Sequence, residues 1–428
     1  MQISLGRLCP RRRRSRCCLS VAMLFVVVVI TIRIFIASVE CSREESIRIL
    51  KQLCREYYNG NVVGNLCSDL CDTYSLQFVG CINYHGGKAV FRMKWKEETV
   101  ILKAKKQYIN DYNLPIYIET LSDIVKMVAD SVNFNLPVKP GTFTDKELFT
   151  KLWKDDFEKY IVHDELAAGN SKTISWKRAA CNSLWSLLQQ DEYQLIALYQ
   201  NYSYFPQLYG TCGHFYALNN MPPGDLLSPF TANIVKIWNQ PWKSRAPVAL
   251  KLINLMQNFD ETFSQVLHMC DMKGENFGIS EDGTVRAIDV DMAIFENRLE
   301  SDLSYSNCTK HDDCSFFDCH GWCDVAAKRC FGIRTNNNLQ ILCEKILQSH
   351  GSNAFTGLLH SPPSSVPELT SIISECAVPS PPMSLLPGCT KAGKSVRCLI
   401  TPDKYPIRHR AEKKYYDILR ALIVKSLK

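Results

Sequence analysis

The sequence predicts an α+β fold of two lobes that carries disulfide-rich insertions and follows a single transmembrane helix. Three observations predict it. The apolar run Leu19–Val39 follows a cluster of arginines, and its length matches the roughly 20 residues a helix needs to cross a bilayer. Cysteine is abundant, with 20 among 428 residues. Beyond the apolar run, a stretch of two-residue alternation comes first and stretches of helical period follow, so strands and helices are segregated along the chain.

The membrane segment comes first in the chain. Residues 1–18 form a basic tail, and Arg11–Arg14 and Arg16 directly precede the span at 19–39. The charge bias places the N-terminus in the cytosol and the bulk of the chain in the lumen, a type II signal-anchor topology. The apolar stretch exceeds the core of a cleavable signal peptide and no small-x-small site follows it. Arg11–Arg14 also fits an arginine-type retention signal of the endoplasmic reticulum. Once the seven arginines of residues 1–39 are set aside, 43 basic and 43 acidic residues remain. The main body is therefore neutral, which excludes a general nucleic-acid partner.

Cysteine usage fits this orientation. Cys9, Cys17 and Cys18 lie on the cytosolic side, and the other 17 fall in the compartment where disulfides persist. The sequons at Asn201 and Asn307 are usable for glycosylation only in the lumen.

The luminal chain divides into a cysteine-rich module (40–81), an N-terminal lobe (82–220) and a C-terminal lobe (221–428). In the module, Ser42-x-x-Glu45 starts a helix with Ile49, Leu50, Leu53 and Tyr57 on one face. Its cysteines lack paired C-x-x-C spacing, so zinc is not expected. Residues 88–105 alternate as a β-hairpin. A helix is expected from about Lys177 to Tyr199, with Glu192 on the same stripe as Leu184, Leu188 and Leu195. A carboxylate on an apolar stripe is costly unless a cation meets it. Strands follow around 207–211 and 215–218, turning at Gly213. Pro247 is expected to start the next helix. A tight hairpin spans Phe277 to Ala287. Cysteines cluster again over 308–343, residues 351–392 read as a Pro/Ser-rich irregular segment, and Ile407–Leu427 reads as an amphipathic closing helix.

The strongest chemical signal is Asp271-Met-Lys273-Gly-Glu-Asn276. Protein-kinase catalytic loops carry an Asp, a Lys two residues later and an Asn five later. In that pattern Asp271 orients an acceptor hydroxyl, Lys273 faces the transferred phosphate and Asn276 holds a metal ion. The hairpin brings Asp289 back to Asn276, which pairs two oxygen donors suited to Mg²⁺. Val100-Ile-Leu-Lys103 matches the strand whose lysine contacts nucleotide phosphates, and Glu192 is its expected partner. The order along the chain agrees: strand lysine, helix glutamate, two strands, helix, catalytic loop, metal aspartate. The fold class is thus a bilobal protein-kinase-like domain.

At these residues, and in the segments LLQQDEYQLIAL and MCDMKGENF, the chain resembles the divergent protein kinase domain 1 family of cysteine-rich, single-pass type II proteins of the endoplasmic reticulum. The resemblance implies a luminal kinase-like fold with ATP as ligand; Mg²⁺ is expected from the Asn276 and Asp289 oxygens, and the luminal placement makes secretory-pathway proteins the expected partners or substrates. It carries over Lys103, Glu192, Asp271, Asn276 and Asp289. The family's EF-hand-like stretch is degenerate here: Ala167, Gly169, Ser171 and Arg178 stand at ligand positions, so no Ca²⁺ is expected. Other departures concern catalysis. Met269-Cys270 stands where kinases have His-Arg, Val290-Asp291 follows Asp289 in place of Phe-Gly, and Gly80, Gly86 and Gly87 do not form a G-x-G-x-x-G loop. Three functions remain open on these grounds. One is an ATP-dependent phosphotransferase, another is a pseudokinase acting as a binding or scaffold module, and the third is a disulfide-rich structural ectodomain that binds other membrane proteins without ATP.

Overall fold

The computed structural model describes residues 42–83, 87–114, 121–136, 144–153, 171–221, 240–279, 283–348, 357–377, 389–392, 395–398 and 413–428. The tail at 1–18 and the expected anchor at 19–39 lie outside the described residues. Among the described residues no helix is long and apolar enough to cross a membrane.

Helix α1 (Arg43–Tyr58) begins as its sequence predicts, with the Ser42 hydroxyl accepting from the Glu45 amide at 3.4 Å. Helix α2 (Cys67–Cys71) follows and is tied to α1 by Cys54–Cys71. The chain then enters strand β1 (Leu76–Asn83), which the alternation analysis did not find; two register irregularities along its pairing with the next strand break its period. Strands β2 (Ala89–Trp95) and β3 (Glu98–Ala104) form the expected hairpin. Its two-residue turn places both Lys96 and Glu97 at positive φ, which matches strand twist.

Helices α3 (Leu121–Asn135) and α4 (Asp145–Trp153) occupy part of the stretch the sequence left unread. Where one helix was expected from 177 to 199, the structure has two: α5 (Ser171–Leu188) and α6 (Asp191–Leu198). Gln190 makes the break, because its side chain bonds backbone in three places, one within α5 and two beyond it. Its Nε2 donates to Ser186 O and His214 O at 3.0 and 2.8 Å, and its Oε1 accepts from Lys105 N at 2.8 Å.

Strands β4 (Leu208–Cys212) and β5 (Phe215–Asn219) complete one antiparallel sheet in the order β1-β2-β3-β5-β4. Gly213, at φ +55°, supplies their turn. Cys67–Cys212 fastens α2 to β4. One face of the sheet, including Phe91, Met93, Val100, Leu102 and Phe215, shares a core with Ile49 and Leu53 of α1. Phe91 and Phe215 stack there at 5.8 Å, each fully buried and each contributing about 1.5–3 kcal/mol. The cysteine-rich segment is thus built into the lobe that carries Lys103.

Helix α7 (Trp242–Glu261) starts earlier than expected, after Pro241, and runs through Pro247. The buried Arg245 fixes this start by donating to Gln240 O, Leu358 O and His360 O at 3.0, 2.6 and 3.1 Å. Strand β6 (Leu267–Met269) precedes the catalytic-loop segment, and β7 (Phe277–Ile279) and β8 (Val285–Ala287) form the tight hairpin. Strand β9 (Ala293–Phe295) pairs with β6 and leads into α8 (Glu296–Leu303).

The second cysteine cluster folds as two small hairpins, β10 (Ser315–Phe316) with β11 (Cys319–His320) and β12 (Cys323–Asp324) with β13 (Arg329–Cys330). Cys308–Cys323 and Cys314–Cys330 staple them. Cys308, Cys314 and Cys330 lie close together because of these bridges, so their sulfurs are not metal ligands. After α9 (Asn338–Leu342), the segment expected to be irregular contains α10 (Leu369–Ala377). Leu369, Ile373 and Cys376 bury one face of it, and Cys343–Cys376 anchors it. The closing helix is α11 (Lys413–Leu427); residues 407–412 lie outside the described residues.

Candidate functional site

Period-two geometry points Val100, Leu102 and Ala104 of β3 into the outer core and leaves Lys103 on the opposite face, opposite Val90 and Tyr216 in register. Lys103 is buried there. Its Nζ contacts both carboxylate oxygens of Glu192 at 2.6 and 2.9 Å and donates to Ile288 O at 3.1 Å. Asp289 Oδ1 stands 3.7 Å from the same nitrogen. Glu192 reaches this point because the break at Gln190 restarts the chain as α6 and sets the glutamate in its first turn, where the helix dipole favours an anion.

The electrostatics are those of a tightly packed charge cluster. Burial opposes the Lys103 ammonium, but Glu192 and Asp289 outweigh it and raise the amine above its ordinary value. Burial pushes Glu192 up to about 7 against the pull of Lys103. For the pair as a whole we take the ionised form, because the ammonium donates to both oxygens. Burial also works to raise Asp289, yet Lys103 and Lys88 bring it down to about 2.

The catalytic-loop segment lies between β6 and β7. The carboxylate of Asp271 contacts Lys273 Nζ at 2.7 Å and accepts from Asn276 Nδ2 at 3.0 Å. The same Asn276 nitrogen donates to Asp271 O at 2.8 Å. Asn276 is buried at the end of a short 3₁₀ turn, and its backbone O accepts from Ile288 N at 2.8 Å. That bond brings Asn276 beside the residue that precedes Asp289. Lys273 and Asp289 are close enough for each to shift the other's titration. The structure therefore gathers Lys103, Glu192, Asp271, Lys273, Asn276 and Asp289 into one cleft. The two sequon asparagines stand apart from it, both exposed, Asn201 beyond α6 and Asn307 in a left-handed turn beside the second cysteine cluster.

The donor set fits a hard divalent cation. Asp289 Oδ1 is closed to solvent and accepts no hydrogen bond. The amide nitrogen of Asn276 is spent on Asp271, so its amide oxygen is the atom that could serve a metal. Oxygen donors of this kind match Mg²⁺.

Sequence reasoning missed four residues that shape the cleft. Lys88, just before β2, contacts Asp291 Oδ2 at 2.5 Å and Asp289 Oδ1 at 3.5 Å. The signal for this pair was present in Gly86-Gly87-Lys88 and in Asp289-x-Asp291. Gln190 was hidden inside an apparently continuous helix. Asp318 brackets the catalytic loop: its N donates to Cys270 O at 2.8 Å and its Oδ2 accepts from Met272 N at 2.7 Å. Lys345 holds its other oxygen. Nothing in the sequence around Asp318 signals this.

A cavity of about 750 Å³ lies elsewhere, between α1 and residues 107–111, lined by Arg48, Gln52, Tyr108 and His214 among others. It contains none of the candidate cleft residues.

Two family models match the chain. One, described as the protein-kinase domain of FAM69, covers residues 184–379, and the other, described as the N-terminal cysteine-rich ER segment of FAM69, covers residues 10–130. The first takes in Glu192, Asp271, Asn276 and Asp289, and the second takes in Lys103 and the disulfide-rich start of the lobe. Kinase-like motifs in order, disulfide staples and both matches agree: the chain belongs to the FAM69 family of divergent kinase-domain proteins associated with the endoplasmic reticulum.

Proposed function

We propose that this protein binds Mg·ATP in the Lys103–Asp289 cleft and transfers its terminal phosphate to a hydroxyl of a secretory-pathway substrate. The observation that carries the reading is the Lys103 ammonium, which bridges Glu192 at 2.6 Å and lies 3.7 Å from Asp289. An ammonium fixed in this way is a preorganised contact for phosphate oxygens. Asn276 and Asp289 would hold Mg²⁺, which when bound neutralises charge on the phosphates. Asp271 would orient the acceptor hydroxyl and take its proton at the carboxylate. Lys273, 2.7 Å from that carboxylate, would offset negative charge beside it. In this reading the chain is a single-pass type II protein anchored by residues 19–39, its domain luminal and glycosylated at Asn201 and Asn307.

A second reading, a pseudokinase that binds partners without transfer, has one observation in its favour. Lys88 sits on the two carboxylates nearest the expected metal position. The deciding experiment uses purified full-length chain with ATP, Mg²⁺ and secretory-pathway extracts as acceptors. Wild-type protein transfers phosphate and Asp271→Ala does not, while both are stabilised thermally by Mg·ATP and Asp289→Ala is not. Transfer by Asp271→Ala equal to wild type would refute the phosphotransferase reading. Stabilisation without any transfer would establish the pseudokinase.

A further inference from the structure

Lys88 directly precedes β2 in the N-terminal lobe, yet its ammonium reaches two carboxylates of the C-terminal lobe. Gly87 before it has φ +81°, a conformation that L side chains avoid, and an added Cβ there would meet nothing within 4 Å. The glycine is thus required for backbone direction, not for space. That direction aims Lys88 at Asp289 and Asp291, with its Nζ at 3.5 and 2.5 Å from their oxygens.

An ordinary surface ion pair does not describe this contact. Two carboxylates two residues apart converge on one ammonium, which is only 27% exposed. Asp289 Oδ1 lies between Lys88 at 3.5 Å and Lys103 at 3.7 Å, is closed to water and accepts a hydrogen bond from neither. The second lysine is already committed to Glu192. Lys88 is therefore the cation with freedom to leave, and a divalent ion bound at Asp289 would stand against its ammonium at short range in a site of low dielectric.

We propose that Lys88 is a built-in counter-ion that competes with the divalent cation for Asp289. In the ligand-free protein it offsets one of the two negative charges of the Asp289–Asp291 pair. The cation binds there once nucleotide phosphates draw the ammonium off, so metal and nucleotide enter together and metal alone binds weakly. This rests on the nucleotide reading above for its second half, while the competition itself concerns only Lys88, the two carboxylates and the metal.

The test measures Mn²⁺ binding by electron paramagnetic resonance on the full-length protein, first with the metal alone and then with a non-hydrolysable ATP analogue. Lys88→Met should bind Mn²⁺ alone about tenfold more tightly than wild type, because a competing charge is gone. Lys88→Arg keeps the charge and should bind like wild type. The gain in Mn²⁺ affinity caused by the analogue should shrink in Lys88→Met. Lys88→Gln provides the same comparison if the methionine variant does not fold. Equal Mn²⁺ affinity in wild type and the uncharged variants, with Asp289→Ala still abolishing it, overturns the inference and leaves the nucleotide reading standing. Tighter Mn²⁺ binding in the uncharged variants without any analogue binding supports the counter-ion and overturns the nucleotide reading.

Discussion

Cys270 and Cys319 are joined by a disulfide whose first member is the residue directly before Asp271, with their Cα atoms 5.0 Å apart. Ordinary kinases carry an arginine at that position. Here a covalent bond attaches the catalytic loop to an insertion that two further disulfides hold rigid. A segment fixed in this way does not switch by ordering upon phosphorylation.

Removing the bridge should therefore cost both stability and positioning. The paired change Cys270→Ser with Cys319→Ser opens a loop of 49 residues, worth about 4 kcal/mol by chain entropy. A lower melting temperature and slower transfer at saturating ATP are expected. Calorimetry and a phosphate-transfer assay check it, and a melting temperature equal to wild type would contradict the bridge's role.

Lys103 and Glu192 should show the asymmetry of a buried ion pair. Lys103→Met leaves the Glu192 carboxylate buried without its cation, and a loss of about 3–5 kcal/mol is expected. The double variant with Glu192→Met removes the stranded charge and should recover most of the stability, yet bind no ATP. Denaturant melts of the single and double variants, with and without Mg·ATP, separate the two effects.

Asp318 touches no expected substrate atom and acts through the backbone on either side of Asp271. Asp318→Ala removes the acceptor for Met272 N and the ion pair with Lys345. Under the proposed phosphotransferase function, the turnover rate should fall about 10–100-fold while ATP affinity stays near wild type. The ratio of kcat to KM effects is the readout; a loss confined to ATP affinity would assign Asp318 elsewhere.

His214 should make the fold acid-sensitive. It is buried, its Nδ1 has no hydrogen-bond partner, and burial lowers it to about 4, against the bond to Gln107 O. Its folded value lies below its unfolded value of 6.5, so its contribution is complete above pH 6.5 and is lost as pH falls toward 4. The loss at pH 5 amounts to about 2 kcal/mol. Melting temperatures at pH 7 and pH 5 should fall further apart in wild type than in His214→Gln.

Much of the fold was legible because local rules governed it. The β2–β3 and β7–β8 hairpins, the capped start of α1 and the β4–β5 turn follow alternation, an N-cap and a glycine. Two of the misread elements were settled by side chains reaching far along the sequence, and a third was a strand of irregular register. Gln190 broke a helix by bonding His214 O, Arg245 moved a helix start by bonding Leu358 O, and β1 was obscured by its register shifts.

The sequence by itself indicated six of the groups that the structure brings together: Lys103, Glu192, Asp271, Lys273, Asn276 and Asp289. The spacing of Asp271, Lys273 and Asn276, and the hairpin that returns Asp289 to them, are short-range features that a local pattern encodes. The tertiary structure alone decided how the two halves meet. Lys103 and Asp289 belong to separately matched segments, and they share a site because β3 pairs with β5 and because Gln190 turns α6 inward. It alone placed Lys88 on Asp289 and Asp291, and Asp318 across the catalytic loop. Contacts between residues so far apart in sequence depend on long-range packing, which no local pattern encodes.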